Sequence, residues 1–170
     1  LRHVFVDGYN VISCWSELRE IKEYSLDSAR QKLLDYLQNY ATYKGYKIYA
    51  VFDAHMKNGS IEKKERISEN LIQVFTKEGE TADSYIEKIV NNIGRKIEVC
   101  VITSDSLEQQ LVFQRGAIRM SSLEFYFEVK EAENRIRNKT KKEYSEKKHL
   151  LEDRIDQEVL EKLEKIRRSR

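Results

Sequence analysis

The sequence predicts an α/β domain in three layers, a mostly parallel sheet with helices on both faces, followed by a basic helical extension. Three observations predict it. Short β-type apolar runs recur at 3–6, 47–52, 71–76, 97–103 and 117–120. Stretches of helical spacing separate most of them, and strands alternating with helices of this length imply right-handed crossovers and a parallel sheet. Beyond Asn138 no strand signal remains.

Each element has its own signal. HVFV is a short strand ending at Asp7-Gly8-Tyr9-Asn10, where Gly8 gives the backbone freedom to turn. Asp27 is placed to N-cap the next helix, which keeps Ala29, Leu33, Leu37, Tyr40 and Ala41 on one face and stops at Gly45. KIYAVF is the second strand. Residues 57–70 are polar, with Asn58-Gly59 as a turn signal, and read as a loop or a marginal helix. LIQVFT is a third strand, and Thr81 opens a helix through Ile93. IEVCVIT is the clearest strand, after which Ser104 or Asp105 caps a helix through Phe113. Ser121 or Ser122 caps a long helix over 123–137. Residues 139–150 read as a basic, mobile connector, and 151–166 has apolar residues at helical spacing. The expected division is a domain over 1–137 and a basic linker with a C-terminal helix over 138–170.

Composition bounds the function. Charged residues are 35% of the chain, and no apolar run approaches the roughly 18–20 residues that span a bilayer. The first apolar stretch is broken by Asp7, so no secretory signal and no membrane partner are expected. Cys14 and Cys100 have no metal-ligand spacing, which fits a reducing, cytoplasmic compartment. Charge is uneven along the chain. Residues 137–148 hold Arg137, Lys139, Lys141, Lys142, Lys147 and Lys148 against two acids, a set suited to the backbone of a nucleic acid. Taken alone, such a run is also an ordinary solvated helix face.

The acids carry the chemistry. Asp7, Asp53 and Asp105 follow apolar runs, and Asp83 stands at the start of a helix with Glu80 three residues before it. In a parallel sheet the strand C-termini share one edge, so carboxylates distant in sequence converge there. Carboxylates without a Cys/His ligand set suit a hard cation, Mg²⁺ or Mn²⁺. Each acid has a plainer role as well: Asp7 in a turn pair, Asp53 at a loop, Asp83 and Glu80 as helix N-terminal acids, Asp105 as a cap. Asn10 is placed to orient Asp7 or to bind a phosphate, and its plainer role is to cap the short helix that follows. Tyr9 and Trp15 flank the first acidic loop and can stack on bases, although a lone Trp usually packs in the core. There is no G-x-x-x-x-G-K-[ST] loop and hence no nucleotide cofactor, and Tyr9 stands where an aspartyl phosphatase needs a second acid.

The strings VDGYNVI, VFDAH, FTKEGETADSYIE and VITSD, in this order, resemble the NYN branch of the PIN-like nucleases. Within that branch the chain is similar to the YacP-like family of bacterial and plastid proteins, over about residues 3–137 and the basic tail. The resemblance implies a PIN-like fold. It places metal-binding acids on Asp7, Asp83 and Asp105, accessory acids on Glu80 and Asp53, and the DGYN asparagine on Asn10. It further implies an endoribonuclease that cuts mRNA on the translating ribosome, in the bacterial cytosol or plastid stroma. Two other classes compete: a catalytically silent RNA- or ribosome-binding module, and a structural α/β interaction domain whose carboxylates do not converge.

Overall fold

The structure is a computed structural model and describes residues 2–54, 59–93, 97–104, 116–152 and 157–168. The chain divides into two units, Leu1–Ala132 and Glu133–Arg170. Among the described residues the first unit holds a six-stranded sheet in the order β3-β4-β2-β1-β5-β6. The strands are β1 (His3–Asp7), β2 (Lys47–Phe52), β3 (Lys63–Arg66), β4 (Leu71–Phe75), β5 (Val99–Ile102) and β6 (Ile118–Met120). All neighbours pair in parallel except β3 and β4, which are antiparallel.

Alternation along β1 explains the layers. Val4 and Val6 join one core with the helices α1 (Gly8–Cys14), α2 (Ser16–Tyr24) and α3 (Leu26–Lys44). Phe5 faces the other side, where Val51, Val74, Val99 and Val101 meet Ala82, Tyr85, Ile86 and Val90 of α4 (Ala82–Asn92). Successive side chains of a strand point to opposite faces, so a central strand with both faces covered reads as an unbroken apolar run. VCVI of β5 is buried at every position for the same reason. The α3 face expected from spacing is the buried face, with Leu34 and Tyr36 added, and Gly45 closes the helix in the left-handed conformation at φ 69°.

The fold departs from the sequence reading in several places. Residues 57–70 contain a strand: KKER of β3 pairs Lys63 with Phe75 and Arg66 with Ile72, and all four residues are exposed. A polar edge strand has no apolar alternation to betray it. Charged residues also blunt an edge against unwanted pairing. The α3 cap is Ser25, whose Oγ accepts from Ser28 N at 3.1 Å; Asp27 lies inside the first turn. Residues 16–24, to which the sequence reading assigns no element, form α2, which buries Leu18 and packs Ile21 against the core. Residues 139–150 are helical rather than a connector: α5 runs Ser122–Glu152. That stretch lacks Gly and Pro, is rich in good helix formers, and pairs Lys142 with Glu146 one turn on. Helix α6 (Gln157–Arg168) covers most of the last predicted helix. The helix expected over 105–113 lies outside the described residues.

The start of α5 follows the capping rules closely. Ser121 N donates to Glu124 Oε2 at 2.8 Å and Glu124 N donates to Ser121 Oγ at 3.2 Å, a reciprocal capping box. Cys100 is buried in β5, and that burial pushes its thiol up to about 11, so it stays protonated and unreactive at neutral pH. Among the described residues no helix is long and apolar enough to cross a membrane.

Candidate active site

The chain moves from β1 to β2 and β4 on one side, then returns to β5 and β6 on the other. Strand order therefore reverses beside β1, and the crevice outside the carboxyl ends of β1 and β5 is where parallel α/β sheets bind ligands. Asp7 is the last residue of β1 and stands at that crevice. Its side chain N-caps α1, with Oδ1 accepting from Asn10 N at 3.1 Å. The adjoining Gly8 has an ordinary negative φ, so it is not there to make the turn. It is there for space: a Cβ at this position would lie 2.2 Å from Phe52 Cε1. That is a correction to the turn expected from Asp-Gly.

Asn10 reaches across the switch point. Its Oδ1 accepts from Ser122 Oγ at 2.5 Å and from Ser104 N at 3.2 Å, and Ser122 N donates to Ser104 Oγ at 3.3 Å. One amide oxygen thus ties α1 to the exit of β5 and to the start of α5. Because Ser122 is fully buried, Asn10→Ala strands its hydroxyl, and an unsatisfied buried donor costs about 1–3 kcal/mol. Urea denaturation should show that loss in the absence of any nucleic acid. An unchanged midpoint would mean that Asn10 has no such anchoring role.

A second group forms where β2 and β4 end. Ala54 N donates to Thr76 Oγ1 at 3.2 Å, and Thr76 Oγ1 donates to the Glu80 carbonyl at 2.6 Å. The Asp53 carboxylate accepts from Ala82 N, so Asp53 holds the first turn of α4 against the exit of β2. Thr81 caps that helix by accepting from Ser84 N, which sets Asp83, half-buried, in its first turn. The Glu80 side chain is only 9% exposed. Lys88 Nζ donates to its Oε1 at 2.7 Å, while Oε2 is buried with no hydrogen-bond partner among the described residues.

The acids thus gather in two places: Asp7 with Asn10 at the β1–β5 crevice, and Asp53, Glu80 and Asp83 around the start of α4. Asp105 lies outside the described residues. Among the described residues no three His, Cys, Asp or Glu side chains form a ready ligand group. The donor chemistry nevertheless fits a hard divalent cation. Mg²⁺ typically takes one or two carboxylates and fills its remaining positions with water and substrate phosphate oxygens, so three preassembled acids are not required. Glu80 Oε2, buried with no partner among the described residues, leaves room for a cation or its water, since buried polar atoms are nearly always paired.

The aromatic residues of the first loop have packing roles. Trp15 is 2% exposed, donates Nε1–H to the Ser122 carbonyl at 2.8 Å, and contacts the rings of Tyr36, Phe125 and Tyr126. It is a core residue. Tyr9 is half-buried, sets its ring edge-on to Phe52 at 5.1 Å, and accepts at its hydroxyl from Arg30 at 2.9 Å. Arg137, Lys139, Lys141, Lys142, Lys147 and Lys148 are exposed along α5 in the second unit. The sequence reading does not single out Thr76 or Lys88, and it gives Ser104 and Ser122 only as helix caps. The serines and threonine had a legible signal, hydroxyls just after strands, whereas nothing in the sequence pairs Lys88 with Glu80.

Comparison with known proteins agrees with this architecture. The profile of the YacP-like NYN domain matches residues 4–168. The uncharacterized protein YacP of Bacillus subtilis (strain 168) is 40% identical over 168 residues, 97% of this chain and 96% of its own. The crystal structure of Rae1 (YacP) from Bacillus subtilis superposes with a TM-score of 0.74 at 37% identity, covering 99% of this chain and 95% of that one. A point variant of the same protein gives 0.70 at 37% identity, over 84% and 83% of the two chains. A profile match over nearly the full length, joined to a mostly parallel sheet with Asp7 at its switch point, means that the chain belongs to the YacP-like NYN domain family, with its PIN-like, nuclease-type fold.

Proposed function

We propose that this protein is a divalent-metal-dependent endoribonuclease that cleaves mRNA in association with the translating ribosome. The observation that carries the reading is the placement of Asp7, Asp53, Glu80 and Asp83 at strand exits and the α4 start of one sheet edge, in a chain of a nuclease-type family. Asp7 and Asp83, with Asp105 by family resemblance, are the residues that would hold Mg²⁺ or Mn²⁺, and Glu80 and Asp53 would support them. A bound ion of this kind makes a water acidic enough to attack at neutral pH and offsets charge on the phosphate.

The chain's own residues do the rest. Asn10 keeps the β1 and β5 exits in register, so that Asp7 cannot drift from the crevice. Asp53 fixes the first turn of α4, which carries Asp83. Lys88 balances one oxygen of Glu80 and leaves the other facing inward. The basic positions from Arg137 to Lys148 are exposed cations of the kind that bind a nucleic acid backbone. The ribosome and the cytoplasm enter through family resemblance.

A divalent-ion titration tests the reading. Full-length protein is incubated with end-labelled mRNA, free and on translating ribosomes, in Mg²⁺, in Mn²⁺ or in chelator. The expected result is internal cleavage that rises with either ion, is lost in chelator, and is strongest on ribosomes. Binding of RNA without scission in any ion would make the protein a silent RNA- or ribosome-binding module.

A further inference from the structure

The side of the molecule at β6 has a surface that the proposed cleavage chemistry does not use. Strand β6 ends the sheet, and its outer edge pairs with no strand among the described residues. Beside it the first turns of α5 wall a groove of about 380 Å³, lined by Arg119, Met120, Glu124, Phe127, Glu128 and Glu131. Phe127 is 63% exposed, and its one-turn neighbour Leu123 and Ile118 of β6 are also exposed. Ile118 pairs with Cys100 and Met120 with Ile102, whose side chains both lie in the core that also takes Phe125 and Val129 of α5. An apolar strip of this kind beside an open strand edge is the usual mark of an interaction site.

The charge of the groove selects the partner. Glu124, Glu128 and Glu131 form a stripe along one flank of α5, against the single cation Arg119 in the lining. Local bonds hold Glu124 in the capping box with Ser121, and Glu128 between Lys44 at 3.5 Å and the Tyr40 hydroxyl at 3.5 Å. A stripe of glutamates repels a nucleic acid backbone, so the fitting macromolecule is a protein. Along a helix, residues three and four apart rise by about 4.5 and 6 Å. Every second residue of an extended strand advances by about 6.6 Å, which is close enough for alternate cations to meet successive glutamates.

We infer that the β6–α5 groove docks an extended, Lys/Arg-rich protein segment, with its cations on Glu124, Glu128 and Glu131 and an apolar side chain against Phe127 and Met120. Strand addition along β6 would supply the main-chain hydrogen bonds of such a complex. The inference does not rest on the ribonuclease reading.

Full-length protein and a fluorescein-labelled decapeptide of alternating Arg and Val test it by anisotropy, with an alternating Glu and Val decapeptide as control. The expected result is saturable binding of the Arg peptide alone, weakened at least about tenfold by Phe127→Ser and by Glu131→Lys, on the scale of a buried interface anchor. Asp7→Asn should bind the peptide like wild type, which separates the groove from the carboxylates of the crevice. Equal binding by Phe127→Ser, or loss of binding in Asp7→Asn alone, overturns the proposal. So does absence of peptide binding with a concentration-dependent dimer that Phe127→Ser abolishes, since the occupant would then be a second copy. Metal-dependent RNA cleavage should survive in both groove variants, so failure of the nuclease reading and failure of this one are read separately.

Discussion

Asp7→Asn should abolish RNA cleavage and leave the protein folded. The side chain does two jobs that this substitution separates. As N-cap of α1, Asp7 accepts a hydrogen bond from Asn10 N through Oδ1, and asparagine retains that oxygen and is as good an N-cap as aspartate. As a candidate metal ligand it must supply negative charge, which asparagine cannot. Loss of a ligand worth several kcal/mol of transition-state stabilisation, say ~4 kcal/mol, lowers the rate by about 10³-fold. Asp83→Asn should behave alike, because Thr81 rather than Asp83 caps α4. Asp53→Asn should cost far less activity, because the carboxylate is engaged by Ala82 N and the amide oxygen can take that bond over. Single-turnover cleavage of labelled mRNA on translating ribosomes gives the rates, and circular dichroism with thermal melting checks the fold. Should Asp7→Asn and Asp83→Asn both cut at the wild-type rate, the metal site has been assigned to the wrong residues.

Gly8→Ala should be among the most destabilising single-methyl changes in the protein. At the first position of a helix, alanine would ordinarily be neutral or better than glycine. Here the added Cβ would lie 2.2, 2.6 and 2.7 Å from three atoms of the Phe52 ring. The ring has little room to retreat: Phe52 is fully buried, with Tyr9 edge-on at 5.1 Å and Phe75 at 5.7 Å. Overpacking of this kind costs about 1–3 kcal/mol, or a fall in Tm of roughly 2–12 °C at about 2–4 °C per kcal/mol for a chain of this size. The cause can be isolated with Phe52→Leu, which opens the space. The double variant should then be more stable than the sum of the two single losses implies, the signature of residues in direct contact. Simple additivity would show that the clash is relieved elsewhere. Because Asp7 immediately precedes Gly8, Gly8→Ala should also depress cleavage under conditions where the protein remains folded.

Much of the architecture was legible because it depends on local periodicity. Unbroken apolar runs such as VCVI can be satisfied only by burial on both faces, and the α3 stripe of Ala29, Leu33, Leu37, Tyr40 and Ala41 only by packing on one. Strand β3 and the helical residues after 138 have no such pattern. β3 is four exposed polar residues, recognisable only through its pairing with β4. Helical residues 139–150 carry the composition of a solvated helix, which a charged connector shares.

The site was legible by residue type but not by role. Asp7 and Asp53 are legible as carboxylates at strand exits, and Glu80 and Asp83 as acids at a helix start, while the parallel order of the sheet supplies the shared edge. Their division of labour depends on neighbours distant in the chain. Asp53 is committed to Ala82 N, 29 residues away, and Asn10 binds Ser104 and Ser122, 94 and 112 residues away. Gly8 next to Asp7 suggested a flexible turn, whereas its neighbour in space, Phe52, shows the need for an absent side chain. Trp15, equally placed by sequence to stack on a base or to sit in the core, is claimed by Tyr36, Phe125 and Tyr126.

By itself, then, the sequence determined the layer order, the strand edge on which chemistry can occur and the hard-oxygen character of the donors, since each follows from short-range periodicity or side-chain chemistry. Only the tertiary structure decided which acids hold backbone, which oxygen of Glu80 is left without a partner and where an apolar strip stays open beside β6. Those are properties of contacts between residues tens of positions apart, and such contacts exist only once the chain has closed on itself.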